Sequence, residues 1–128
     1  MEETRKNYSG IWLEDGIVYT VLNYEMFTEE MVESGIKQRL AITKDKAYPI
    51  YADVRKIKNF TREARQRLAQ KDAAFGTAAV AILINSKVQE VLYNFFNVIY
   101  KAPAPAKMFT DEAKAIAWLQ QYKDPNNV

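Results

Sequence analysis

The chain has 128 residues, of which 48% are hydrophobic and 27% charged, with a formal net charge of +2. That is enough for one domain with a real core, and too little charge to announce a nucleic-acid binder. It contains no cysteine and no histidine, which removes disulfides, thiolate nucleophiles, Ser-His-Asp triads and imidazole bases and makes a zinc site a poor expectation.

No apolar run approaches the roughly 18 residues that a membrane span requires. The first residues (Met1, Glu2, Glu3, Thr4, Arg5, Lys6) have no apolar stretch behind them of the kind a signal peptide carries. A cytoplasmic protein is therefore expected, organised as a single domain over 1–128 with its core at about 10–122 and flexible ends at 1–8 and 123–128.

The first element is a hairpin. Apolar and aromatic runs, Ile11-Trp12-Leu13-Glu14 and Ile17-Val18-Tyr19-Thr20-Val21-Leu22, flank Asp15-Gly16, a strong two-residue turn signal. After Thr28, a natural N-cap, the period changes to that of a helix through Met31, Val32, Gly35, Ile36 and Leu40. Ile50–Val54 reads as a strand after Pro49, and Thr61 caps a helix to about Ala74, with Ala64, Leu68 and Phe75 on its core side. Ala78–Ile84 is a further strand, and Ser86 opens a helix with Gln89 completing a capping box. The Ala102-Pro103-Ala104-Pro105 segment must break that helix. Ala106–Phe109 is a last strand, and Thr110-Asp111-Glu112 begins a helix to Tyr122.

The order β-β-α-β-α-β-α-β-α implies an α/β fold with a mixed five-stranded sheet, an antiparallel hairpin followed by parallel strands. Right-handed crossovers place the four helices mainly on one face. The other face, with Trp12, Tyr51, Ala79 and Ala81, would then need a cover, which a homodimer or the N-terminal segment would supply.

Charge is segregated. Between Asn7 and Ile36 stand Glu14, Asp15, Glu25, Glu29, Glu30 and Glu33 with no base. From Arg55 to Lys71 the bases are Arg55, Lys56, Lys58, Arg62, Arg65, Arg67 and Lys71 against Glu63 alone. Arg62 and Arg65 fall on one flank of their helix and Arg67 and Lys71 on the other, whereas a groove-reading helix would line its bases along one stripe. Solvated surface is the expectation, with Glu63 and Arg67 as an i,i+4 pair and no nucleic-acid partner. The opposite charge of the two regions also allows head-to-tail self-association.

In the helix from Ser86, Val88, Val91, Leu92, Phe95 and Ile99 make one apolar stripe, and Tyr93, Phe96 and Tyr100 make a second. The second stripe serves internal packing, a dimer interface or the wall of an apolar ligand site. At the carboxyl ends of the strands, where open α/β sheets bind ligands, stand Asp53, Arg55, Asn85, Ser86, Thr110 and Asp111. Ser86 and Thr110 are expected to cap helices, and no base stands ready to activate them. The glycines are too scattered to cradle phosphate, and the carboxylates show no metal-ligand spacing. Neither a catalytic residue, a cofactor nor a metal is expected.

The hairpin start, the string YPIYADVRKIKNFTREAR and the ending KMFTDEAKAIAWLQ resemble the STAS domains, the SpoIIAA-like fold of anti-sigma-factor antagonists, related in fold to CRAL-TRIO lipid-binding domains. The resemblance runs from Trp12 to Tyr122. It implies a non-enzymatic interaction or regulatory domain, partnered by itself as a homodimer or by another protein. Alternatively it implies a binder of a lipid or other apolar ligand. Regulatory STAS proteins carry a phosphorylatable serine in an Asp-Ser-Ser-Gly-like stretch after a strand ending. Here Asp53-Val54 is similar to that ending, and Thr61-Arg62-Glu63-Ala64 takes the place of the stretch, with Arg62 and Glu63 at the serine positions. Thr61 alone could accept a phosphate, beside Arg62 and Arg65; otherwise it is simply an N-cap. The residues expected to meet a partner are Tyr93, Phe96, Tyr100, Arg62, Arg65, Trp12 and Tyr51.

Overall fold

In the computed structural model, which describes residues 10–86 and 104–125, strands β1 (Gly10–Glu14) and β2 (Ile17–Val21) form the expected antiparallel hairpin. Its turn places Asp15 at φ 52° and Gly16 at φ 77°, two successive positive values that match the twist of the flanking strands. A short β3 (Met26–Phe27) leads into helix α1 (Glu29–Thr43). Thr28 caps α1, its Oγ1 accepting from the Met31 N–H at 3.4 Å, and Glu29 and Glu30 stand at the positive end of the helix.

Then follow β4 (Tyr48–Asp53), β5 (Asn59–Phe60), α2 (Arg62–Leu68) and β6 (Thr77–Leu83), and finally β7 (Ala106–Phe109) and α3 (Glu112–Leu119). The sheet order is β1-β2-β4-β6-β7, and every pair after the hairpin is parallel. Each crossover therefore steps in the same direction, and right-handed connections put α1 and α2 on one face. Strand β4 is buried along its whole length, as a central strand covered on both sides must be. The two-residue pairing of β3 with β5 has no counterpart in the sequence expectations; it seats Phe27 edge-on against Phe60, with ring centroids 5.5 Å apart.

Two corrections concern helices. The helix expected from Thr61 to Ala74 ends at Leu68: Gln70 is extended, and Lys71–Ala74 form a single 3-10 turn. Arg67 reaches forward to both carboxylate oxygens of Asp72 at 2.9 Å, which holds the reversed chain. Off the helical period, Phe75 is 56% exposed rather than on the core side.

The second correction is the layering. Helix α3 packs on the face opposite α1 and α2, burying Tyr19, Tyr51, Ala79, Ala81 and Leu83 beneath Ala115 and Leu119. Of the three described helices, α1 and α2 thus share one face and α3 covers the other. Among the described residues no strand follows α3, so the crossover rule does not govern it, and the apolar face left by α1 and α2 attracts it. Among the described residues there are three α-helices. The helix expected from Ser86, with Val88, Val91, Leu92, Phe95, Ile99, Tyr93, Phe96 and Tyr100, falls outside them.

Candidate functional site: an apolar cleft with a buried arginine

The two faces of the sheet are filled differently. Under α1 the alternate residues Thr20, Leu22, Ile50, Ala52 and Val80 form a floor, and Met31, Val32, Gly35 and Ile36 form a roof. Between them lies a cleft of about 190 Å³, partly open to solvent. Helical spacing brings these four α1 residues onto one side, and Gly35 in the middle supplies no side chain to fill the gap. A methyl group on Gly35 would stand 3.8 Å from Ile11 Cδ1, an ordinary contact. The space is therefore a consequence of side-chain choice rather than of backbone crowding.

One end of the cleft is polar. Arg39 lines it together with Ala73 and Thr77, where β6 begins beside Tyr48. Arg39 is only 6% exposed. Its Nη1 donates to Thr77 Oγ1 at 2.6 Å and its Nη2 to the Ala73 carbonyl at 2.9 Å. Both partners are neutral, and among the described residues no carboxylate forms an ion pair with it. Burial lowers its pKa from the usual guanidinium value. A buried charge without a counter-charge is costly, so this is the most unusual polar group of the core. Sequence reading passed over it. The available signal was its place four residues after Gly35 and seven after Val32, on the apolar side of α1.

Over residues 11–123 the chain matches the model of a family described as a domain of unknown function, DUF7793. The chain belongs to that family. No curated protein matches it. Among solved structures it is similar to an uncharacterized protein of the DUF3478 family from Shewanella loihica PV-4, described as having a SpoIIAA-like fold. That likeness has a TM-score of 0.59 and 20% identity, covering 88% of this chain and 92% of that one. A protein of unknown function from Arthrobacter sp. FB24 is 26% identical over 87% of this chain and 98% of its own, with a TM-score of 0.35. The first of these likenesses shows a SpoIIAA-like fold, in agreement with the resemblance read from the sequence.

Within this DUF7793 domain the residues singled out from the sequence part company. Asp53 and Arg55 meet as a bidentate pair, Arg55 Nε to Oδ1 at 2.9 Å and Nη2 to Oδ2 at 2.6 Å, with the Arg55 backbone N–H adding 3.2 Å to Oδ1. The hydrogen bond to Asp53 raises the Arg55 pKa. Asp111 is engaged as the cap of α3, its Oδ1 accepting from the Ala113 N–H at 2.9 Å. It, rather than the exposed Thr110, caps that helix. Asn85 and Ser86 are exposed at the end of β6. Asp53 with Arg55, then, is tied up as structure, and Asp111 likewise.

Thr61 caps α2, accepting from the Ala64 N–H at 3.0 Å. Arg62 is exposed and Arg65 half-buried, and neither forms an ion pair among the described residues. Arg67 does not pair with Glu63; it bridges Glu33 of α1 and Asp72, which together raise its pKa. Lys58 lies 3.4 Å from Glu25. The acidic and basic regions thus meet within one molecule. Trp12 stacks on Tyr19 at 5.5 Å, and Tyr51 is 2% exposed beneath α3. The face expected to need a partner's cover is therefore covered by the chain itself. Tyr93, Phe96 and Tyr100 lie outside the described residues.

Among the described residues no cluster of three or more acidic side chains is placed to hold a metal. No helix there is long and apolar enough to cross a membrane.

Proposed function

We propose that this DUF7793 domain is a non-enzymatic binding module that holds a small, mainly apolar molecule between its sheet and α1. The observation that carries this reading is the cleft of about 190 Å³ beneath Gly35. Close-packed interiors leave few voids larger than a water molecule, and an apolar cavity of about 150 Å³ suffices to bind benzene. A ligand here would add contacts to Leu22, Ile50, Ala52 and Ile36, which line the cleft.

Of the two functions that the STAS and CRAL-TRIO resemblance implied, ligand binding has the stronger support. Of the sequence features that argued for self-association, the bare sheet face and the opposed charges both find a complement inside one chain, while the stripe of Tyr93, Phe96 and Tyr100 lies outside the described residues.

The test is titration of the purified domain with straight-chain amphiphiles of differing head group, followed by backbone amide NMR. Saturable shifts are expected at Met31–Ile36 and Ile50–Ala52. Gly35→Leu, which puts an isobutyl group into the cleft, abolishes them while the fold persists by circular dichroism. Absence of saturable shifts for every head group would overturn the reading. Native mass spectrometry of the freshly purified protein provides the second check, with a retained small-molecule mass as the expected result.

A further inference from the structure

We infer that the molecule held in this cleft carries a carboxylate, seated on Arg39 at the end where β6 begins, with its apolar part lying between Gly35 and the sheet. The inference rests on the cleft being a ligand site and adds the class of ligand.

Arg39 is buried, and it borders the same cleft as Ala52 and Ile36. Its two hydrogen bonds, to Thr77 Oγ1 and the Ala73 carbonyl, fix its plane without neutralising its charge. They occupy one N–H on each of Nη1 and Nη2. The remaining donors, including Nε–H, have no acceptor among the described residues. A planar fork held rigid with donors to spare is suited to a carboxylate, which can accept two parallel bonds.

Charge decides between anions. Among the described residues the site offers one positive charge and otherwise hydroxyl, carbonyl and hydrocarbon, so a monoanion balances it. A phosphate dianion would bring a second negative charge into an apolar cleft where no second cation stands among the described lining residues. Size sets the remainder: at about 190 Å³ the space suits an apolar portion of roughly six to eight carbons, by comparison with benzene in about 150 Å³. A straight-chain or aromatic monocarboxylate is the class that fits.

Calorimetric titration with octanoate, octan-1-ol and octyl phosphate, each below micelle formation, tests this on the wild-type domain. Octanoate is expected to bind about tenfold or more tighter than octan-1-ol, the margin of a charge-assisted hydrogen bond over a neutral one. Octyl phosphate is expected to bind more weakly than octanoate. Arg39→Met, which keeps length and removes charge, should erase the preference for octanoate while retaining octan-1-ol. Gly35→Leu should remove both. Equal affinity for octanoate and octan-1-ol in the wild type would overturn the carboxylate assignment and leave the cleft reading standing. Tighter binding of octyl phosphate would overturn it too. Binding of none of the three would defeat the cleft reading itself. Should Arg39→Met fail to fold, the wild-type comparison decides alone.

Discussion

The two faces of one sheet are built to different ends. Beneath α3, aromatic rings and alanines interlock: Trp12 stacks on Tyr19, Tyr19 lies 5.4 Å from Tyr51, and Ala79 and Ala81 leave room for α3 to approach closely. Beneath α1 the floor is mostly aliphatic, the roof has a glycine at its centre, and a cleft with the Arg39 guanidinium at one end remains. Among the described residues, the face under α3 is filled by side chains, whereas the face under α1 keeps a cleft. The same strands serve both, because successive side chains point to opposite sides.

Truncation separates the faces most sharply. Leu119→Ala, at a fully buried position of α3, should cost about 2–5 kcal/mol, read as a lower midpoint in urea unfolding. Ile36→Ala, bordering existing space on the other face, should cost roughly 1 kcal/mol, since little new cavity is created there. Equal losses at the two positions would abolish the contrast.

Alkaline titration probes the packed face. Burial, followed by the Asp53 and Glu112 carboxylates, raises the pKa of Tyr51 above the ordinary phenol value. Above about pH 10 the unfolded chain releases that proton and the folded one keeps it, so stability falls as pH rises, at up to about 1.4 kcal/mol per pH unit. Tyr51→Phe should flatten this dependence; an unchanged slope in the variant would assign it elsewhere.

The cleft face should respond to gain rather than loss. Gly35 has an ordinary helical conformation and room for a methyl group, so Gly35→Ala is expected to stabilise by about 0.5–1 kcal/mol. A lower melting temperature for that variant would show that the space beneath it is filled. The smallest effect belongs to Thr43, whose Oγ1 is buried without a hydrogen-bond partner among the described residues. Thr43→Val keeps the shape, removes the unpaired hydroxyl, and should leave stability unchanged or raised by a few tenths of a kcal/mol.

Much of the fold could be read from local chemistry. The Asp15-Gly16 turn, the Thr28 and Thr61 caps and the strand at Ala106–Phe109 each depend on residues within a few positions of one another, and all four occur as read. What could not be read depended on distant partners. Arg67 looked like a neighbour of Glu63 along a helix, yet Glu33 and Asp72 compete for it from other elements. Asp53 and Arg55 looked available at a strand end, and their two-residue spacing instead lets them close on each other.

By itself, then, the sequence determined the order of the five strands of the main sheet, their antiparallel start and parallel continuation, and the want of histidine and cysteine for chemistry. It determined these because hydrophobic period, turn residues and composition act over short range or over the whole chain at once. Tertiary structure decided which face α3 covers, and that Arg39 is shut away from water without a counter-ion among the described residues. Both depend on what lies across the fold: α3 settles wherever apolar area remains uncovered, and a guanidinium on an apolar stripe is buried only when β6 and the 3-10 turn close around it.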